Sequence, residues 1–195
     1  HLPRNVLDLA HHGVTEMVNN AVDHSEAETV SVSMHCVDEC LRFVIGDDGV
    51  GIFRKITRAL DLPDERLALL ELSKGKLTTD PQRHSGEGIF FTSRMFDVYR
   101  IESGSLVFDH DADCDLDLLD DAVEVQGTRV VMQVGTGSAR TVASVFSEYS
   151  SGPDEYAFAR TVVPVRLARV GDENLVSRSQ AKRLLQRVEK FRHVV

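Results

Sequence analysis

The order of its hydrophobic patterns constrains this chain most. Residues 5–24 carry apolar side chains at three- and four-residue intervals (Val14, Met17, Val18, Ala21, Val22), which predicts a helix with one apolar stripe. Two alternating stretches follow, Thr29 to Met34 and Leu41 to Ile45. With Val37-Asp38-Glu39 between them they read as a hairpin. A glycine-rich run comes next, then helical patterns over Phe53 to Leu62 and Pro63 to Leu72, the second with Pro63 suited to a first turn. An apolar helix opens after Gly86, and strands are expected near 97–102, 105–109 and 128–134. A helix, a hairpin, more helices and then several strands do not form repeated βαβ units. The order predicts an α+β fold, a two-layer α/β sandwich with a mixed, mainly antiparallel sheet.

Charge and length narrow the function classes. The 195 residues are 42% hydrophobic, enough to bury a core. With 31 acidic against 22 basic residues the net charge is −9, which argues against binding nucleic acid by neutralising its phosphates. No apolar run approaches the ~20 residues that span a bilayer, so no membrane contact is expected. Cys36, Cys40 and Cys114 are too few and too irregular for a disulfide framework. Read as reduced thiols, they favour a cytoplasmic protein.

Four local constellations carry chemistry. Glu16 and Asn20 lie four residues apart, so they share one helix face; Asp23 and His24 close the same segment. An amide oxygen at Asn20 suits magnesium, which keeps several waters and bridges phosphates. A carboxylate one turn earlier is placed to act as a general base. In Asp47-Asp48-Gly49-Val50-Gly51-Ile52 a carboxylate leaves an apolar strand, where it can accept from an amino group such as that of adenine. The glycines allow close backbone approach. Ser85-Gly86-Glu87-Gly88 opens a helix whose free N–H groups favour phosphate. Gly127-Thr128 opens an apolar strand, with a hydroxyl able to meet a base. Each taken singly also fits an ordinary polar face, turn or strand.

Taken in this order and context, the four resemble the GHKL ATPase family, which groups gyrase, chaperone, histidine-kinase and MutL domains of the Bergerat fold. Residues 16–24 are similar to its N-box, Asp47 to Gly51 to its Asp-x-Gly-x-Gly box, Gly86 to Gly88 to its second glycine box, and Gly127-Thr128 to its late Gly-Thr pair. The resemblance spans about residues 5–135. It implies ATP and Mg²⁺ as cofactors, with Asn20 on the metal and Asp47 on adenine. It also implies nucleotide contacts from Asp23, Gly49, Gly51, Ile52, Gly86, Gly88 and Thr128, and Glu16 as catalytic base. The polar stretch Ser73 to Ser85 is expected to be an ATP lid, with Lys74 or Lys76 reaching the phosphates. A glutamate at position 16 resembles gyrase-like ATPases and the serine kinases that act as anti-sigma factors. Three activities therefore stay open: an ATPase or phosphotransferase, a protein serine kinase, and a nucleotide sensor without turnover. A regulatory protein partner and a homodimer both fit this reading.

Residues 1–146 are expected to form the ATP-binding domain and 147–159, with Ser, Gly and Pro, a linker. Residues 160–195, with Leu175 to Leu185 and Val188 to Phe191, resemble the opening of a STAS-like domain that is incomplete within this chain. Its apolar stripe of Leu184, Leu185, Val188 and Phe191 must then pack on the ATPase domain or on another chain. The alternating aspartates from Asp109 to Asp117 lack the glycine and glutamate of a calcium loop, and read as a solvated acidic connection.

Overall fold

A computed structural model describes residues 2–77, 86–111, 116–152, 155–161, 163 and 178–195. Helix α1 (Arg4–His24) is followed by the hairpin β1 (Val30–Val37) and β2 (Cys40–Asp47). Asp38 and Glu39 make its turn with φ of 50° and 58°, the double left-handed geometry of a tight two-residue hairpin loop. Helices α2 (Ile52–Ala59), α3 (Arg66–Lys74) and α4 (Gly88–Met95) precede the long strands β3 (Val98–Asp111) and β4 (Leu116–Gly135).

The four strands form one antiparallel sheet in the order β1-β2-β4-β3. Register aligns Phe43 with Met132 and Tyr99, and Ile45 with Val130 and Ile101, all buried on one face. Helix α1 covers that face: the Tyr99 hydroxyl donates to Met17 Sδ at 3.0 Å. This is the α+β architecture that the element order predicts. Among the described residues no helix is long and apolar enough to cross a membrane.

Several boundaries differ from the sequence expectation. The buried stripe of α1 is Val6, Leu9, Ala10, Gly13, Met17 and Ala21, whereas Val22 is 67% exposed. The helix crosses the sheet further toward its N-terminal half, where Gly13 lets the Phe96 ring approach. Pro63 lies ahead of α3, because Asp64 Oδ1 accepts from the Arg66 N–H (2.8 Å) and sets the helix start there. The expected strands 97–102 and 105–109 are one strand with register shifts around Gly104, whose φ is 58°. A glycine bulge of this kind interrupts the hydrophobic alternation without ending the strand. Of the aspartate run, Asp109 pairs with Arg100 Nη2 (3.1 Å); residues 112–115 lie outside the described residues.

Described segments of the C-terminal third pack on this core. Helix α5 (Val142–Tyr149) starts with a reciprocal Thr141–Ser144 capping box. After it come β5 (Ser150–Gly152), β6 (Glu155–Phe158), β7 (Arg160–Thr161), α6 (Arg178–Leu185), a 3₁₀ turn (Val188–Lys190) and β8 (His193–Val194). Residues 147–159, expected to be a linker, thus include the end of α5 and two strands. Tyr149 and Phe158 are buried there, in an aromatic cluster with Phe90, Phe91 and Phe191. Phe191 joins the main core and Leu184 packs against it, so the C-terminal apolar stripe docks largely within the chain; Leu185 stays 64% exposed.

Candidate functional site

A cleft of about 1120 Å³, its solvent mouth included, opens between α1, α2, the N-terminal end of α4 and the sheet. Glu16, Asn20, Asp47 and Thr128 all line it. So do Gly51, Ile52, Gly86 and Gly88. Its floor is apolar, with Met17, Ile45, Tyr99, Ile101 and Val130. Burial raises the Tyr99 hydroxyl far above its usual range, so it stays neutral.

One corner is built around Asp47. Its Oδ1 accepts from the N–H groups of Gly49 (3.0 Å) and Thr128 (3.2 Å), its cross-strand partner. Among the described residues Oδ2 has no hydrogen-bond partner. Burial pushes the Asp47 carboxyl pKa up, while the two backbone donors pull the other way. Thr128 Oγ1 accepts from the Ile52 N–H (3.0 Å), which leaves its own hydroxyl proton available to a ligand. Gly51 holds φ at 84° and Gly127 at 70°, where a side chain is disfavoured; a Cβ at Gly127 would also strike the Asp47 carbonyl.

The neighbouring Asp48 has a separate task. Its Oδ1 accepts from the N–H groups of Glu28 and Thr29 (3.0 Å each), the first of its contacts to hold the carboxyl below its usual range being that with Thr29. It ties the glycine loop to the start of β1. Gly49 lies behind the loop: it supports Asp47 through its N–H, and a Cβ would collide with the Ser25 carbonyl.

The opposite wall is α1, which presents Glu16, Asn20 and His24 at successive four-residue steps. Among the described residues neither the Glu16 carboxylate nor the Asn20 amide has a hydrogen-bond partner. Glu16 faces the start of α4 so closely that a Cβ at Gly88 would run into its carboxylate. The first helical N–H groups of α4 and the candidate base therefore meet in one place. One turn back, burial holds the His12 imidazole pKa below its usual value against the opposing pull of Glu16. His12 Nε2 has no partner among the described residues, and its ring meets Phe146 edge-on at 5.9 Å.

Other expected contacts lie elsewhere. Asp23 is exposed on α1 and does not line the cleft. Lys74 ends α3 and is buried, with Nζ bonded to Glu71 Oε1 (2.8 Å) and to the carbonyls of Arg183 and Gln186. Lys76 Nζ donates to the Lys190 carbonyl (2.8 Å). Neither lysine lines the cleft. Of the expected lid, residues 78–85 lie outside the described residues. A cation the sequence did not single out does line the cleft: Lys55 of α2, held by the His24 carbonyl and by Glu26 Oε1 (3.0 Å). Its only signal is its place one turn into the helix that follows the glycine run.

An antiparallel α+β sandwich with a polar-walled cleft between its first helix and a glycine-flanked aspartate defines a class of nucleotide-binding domain. The model of the histidine kinase-like ATPase domain matches residues 1–107, and this chain belongs to that family. The fold is accordingly an ATP-binding one. Among solved structures, one described as the crystal structure of the N-terminal domain of a DNA repair protein is similar over 76% of this chain. Identity is 11% and the TM-score 0.37. The chain spans 46% of that structure's length. No curated protein matches the chain.

Proposed function

We propose that this chain binds Mg-ATP in the cleft and uses its hydrolysis or phosphoryl transfer as a signal in a regulatory protein. The observation that carries this reading is the pairing of two differently prepared ends. At one, Asp47 is fixed through Oδ1 with Oδ2 left to accept from an amine, beside the Thr128 hydroxyl. At the other, an unbonded Asn20 amide lines the cleft and the Glu16 carboxylate faces the start of α4.

The residues fit magnesium. Among the described residues no cluster of three or more His, Cys, Asp or Glu side chains forms a self-sufficient metal cage. A single Asn20 oxygen suits an ion that takes its remaining ligands from water and phosphates. Bound there, the ion would offset phosphate charge. Asn20 holds it, Gly86 and Gly88 leave room at the start of α4, Gly51 and Ile52 shape the wall near the base, and Glu16 takes the proton of the attacking water or hydroxyl. Lys55 is the one lysine or arginine among the described residues lining the cleft.

The C-terminal part is proposed as the start of a STAS-like module. The parallel pairing of β7 with β8, with α6 between them in sequence, supports a βαβ unit. The fate of labelled γ-phosphate separates the activities. Free phosphate supports an ATPase, label on a protein supports a serine kinase, and binding with neither supports a sensor. Glu16→Ala should bind ATP within a fewfold of the parent and lose ~10²–10⁴-fold in rate. Full activity in that variant places the base elsewhere.

A further inference from the structure

Residues 74–76, at the end of α3, carry several bonds to the C-terminal part of the chain. The buried Lys74 ammonium reaches the carbonyls of Arg183 (3.0 Å) and Gln186 (2.9 Å), at the end of α6. Just beyond, Arg187 adopts a left-handed φ of 65° and sends Nη2 to the Lys76 carbonyl (2.9 Å), with Nη1 3.4 Å from Glu71 Oε2. Lys76 Nζ bonds to the Lys190 carbonyl and lies 4.9 Å from the centre of the Phe191 ring. The Thr161 hydroxyl donates to the Lys74 carbonyl (2.6 Å).

The backbone tied down in this way takes a positive φ at two successive residues. Gly75 has φ of 78°, and Lys76, which is not a glycine, has φ of 53°. A non-glycine residue is uncommon there, and its contacts must offset the cost. The next residue, Leu77, donates its N–H to the Gly86 carbonyl (3.0 Å), and both Leu77 and Gly86 line the cleft.

We propose that the C-terminal segment is a positioning element of the cleft. Arg187 and Thr161, with the Lys74 ammonium, hold the left-handed Gly75–Lys76 link, and that link sets the Leu77–Gly86 rung in the cleft wall. The proposal rests on the nucleotide reading only for what fills the cleft. Lys74 thus acts on the site through the backbone, not as a phosphate ligand. Coupling of this kind is reciprocal: a ligand that needs the rung in place protects the docked segment, and releasing the segment weakens the ligand.

The test is site-resolved amide exchange on the whole chain. Arg187→Gly suits a left-handed position and removes the side chain with its guanidinium. Thr161→Val removes only the hydroxyl that holds the Lys74 carbonyl. Without ligand, each should speed exchange at Leu77 roughly tenfold or more, the effect of losing one such hydrogen bond, while β2 amides stay at the parent rate. Leu185→Ser, at an exposed site of α6, should change neither rate. Mg-ATP should weaken by a similar factor in the first two variants. Unchanged Leu77 exchange in both, or a change only in step with β2, overturns the proposal. A parent that binds no Mg-ATP while Leu77 still responds refutes the nucleotide reading and leaves the positioning role standing.

Discussion

Replacing Asp47 by Asn separates the two things this carboxylate does. Oδ1 supports the loop by accepting from the Gly49 and Thr128 N–H groups, and an amide oxygen can do the same. The change falls on Oδ2, where an NH₂ would face the adenine amine, donor against donor. A hydrogen bond to a charged acceptor is worth ~1.5–3 kcal/mol, so the loss predicts ~10–150-fold weaker ATP binding. Stability should change by less than about 0.5 kcal/mol, as for a substitution that keeps its structural partners. Asp47→Ala, by contrast, strands both N–H groups and should destabilise by ~1–3 kcal/mol for each left unsatisfied. Calorimetric titration with denaturant unfolding as the companion measurement reads both effects. The pH dependence gives a second check. Burial raises the carboxyl above its ordinary 3.8, so the folded chain holds a proton that the unfolded chain releases in the window just above that value. The cost of ionising Asp47 in the fold therefore appears as pH rises through the window and is absent below it. The Asn variant should lose that slope. Parent-like ATP affinity in Asp47→Asn refutes the assignment of Oδ2.

Asn20→Ala should weaken ATP chiefly through magnesium. Titrations with and without Mg²⁺ should show the parent gaining affinity with the ion and the variant gaining little; full magnesium dependence in the variant removes Asn20 as the ligand. His12 should make the fold acid-sensitive. Burial holds its pKa below 6.5, so the unfolded chain binds the extra proton between the folded value and 6.5. Stability should fall as pH drops through that window, and His12→Gln should flatten the slope in unfolding curves taken from pH 7.5 to 5.

The sequence made the sheet, the cleft residues on α1 and the Asp47 corner legible because each depends on local pattern. Four-residue spacing puts Glu16 and Asn20 on one face wherever the helix sits, and a carboxylate between an apolar strand and two glycines has few other places to go. Less legible were features set by tertiary packing. Lys74 and Lys76 share the composition of a phosphate-contacting loop, yet the docking of residues far away in sequence claims both ammonium groups. Lys55 carries no motif and enters the cleft only because α2 folds back toward the end of α1. Within the pair Asp47-Asp48 the glycine spacing singles out Asp47, and the task of Asp48 has no such signal. Strand register sets Asp47 opposite Thr128 and leaves Asp48 to clamp the start of β1. Residues 147–159 read as a linker by their Ser-Gly-Pro composition, and the burial of Tyr149 and Phe158 is set by aromatic partners distant in sequence.

Mg-ATP in the cleft between α1 and the Asp47 corner should perturb the backbone amides around it. Amide chemical-shift mapping of the chain titrated with Mg-ATP tests this most directly. Saturable shifts should centre on Asn20, Gly49, Ile52, Gly88 and Thr128, with the Asn20 and Gly88 shifts reduced when Mg²⁺ is chelated. An absence of saturable shifts at millimolar nucleotide, or shifts clustered away from these residues, contradicts it.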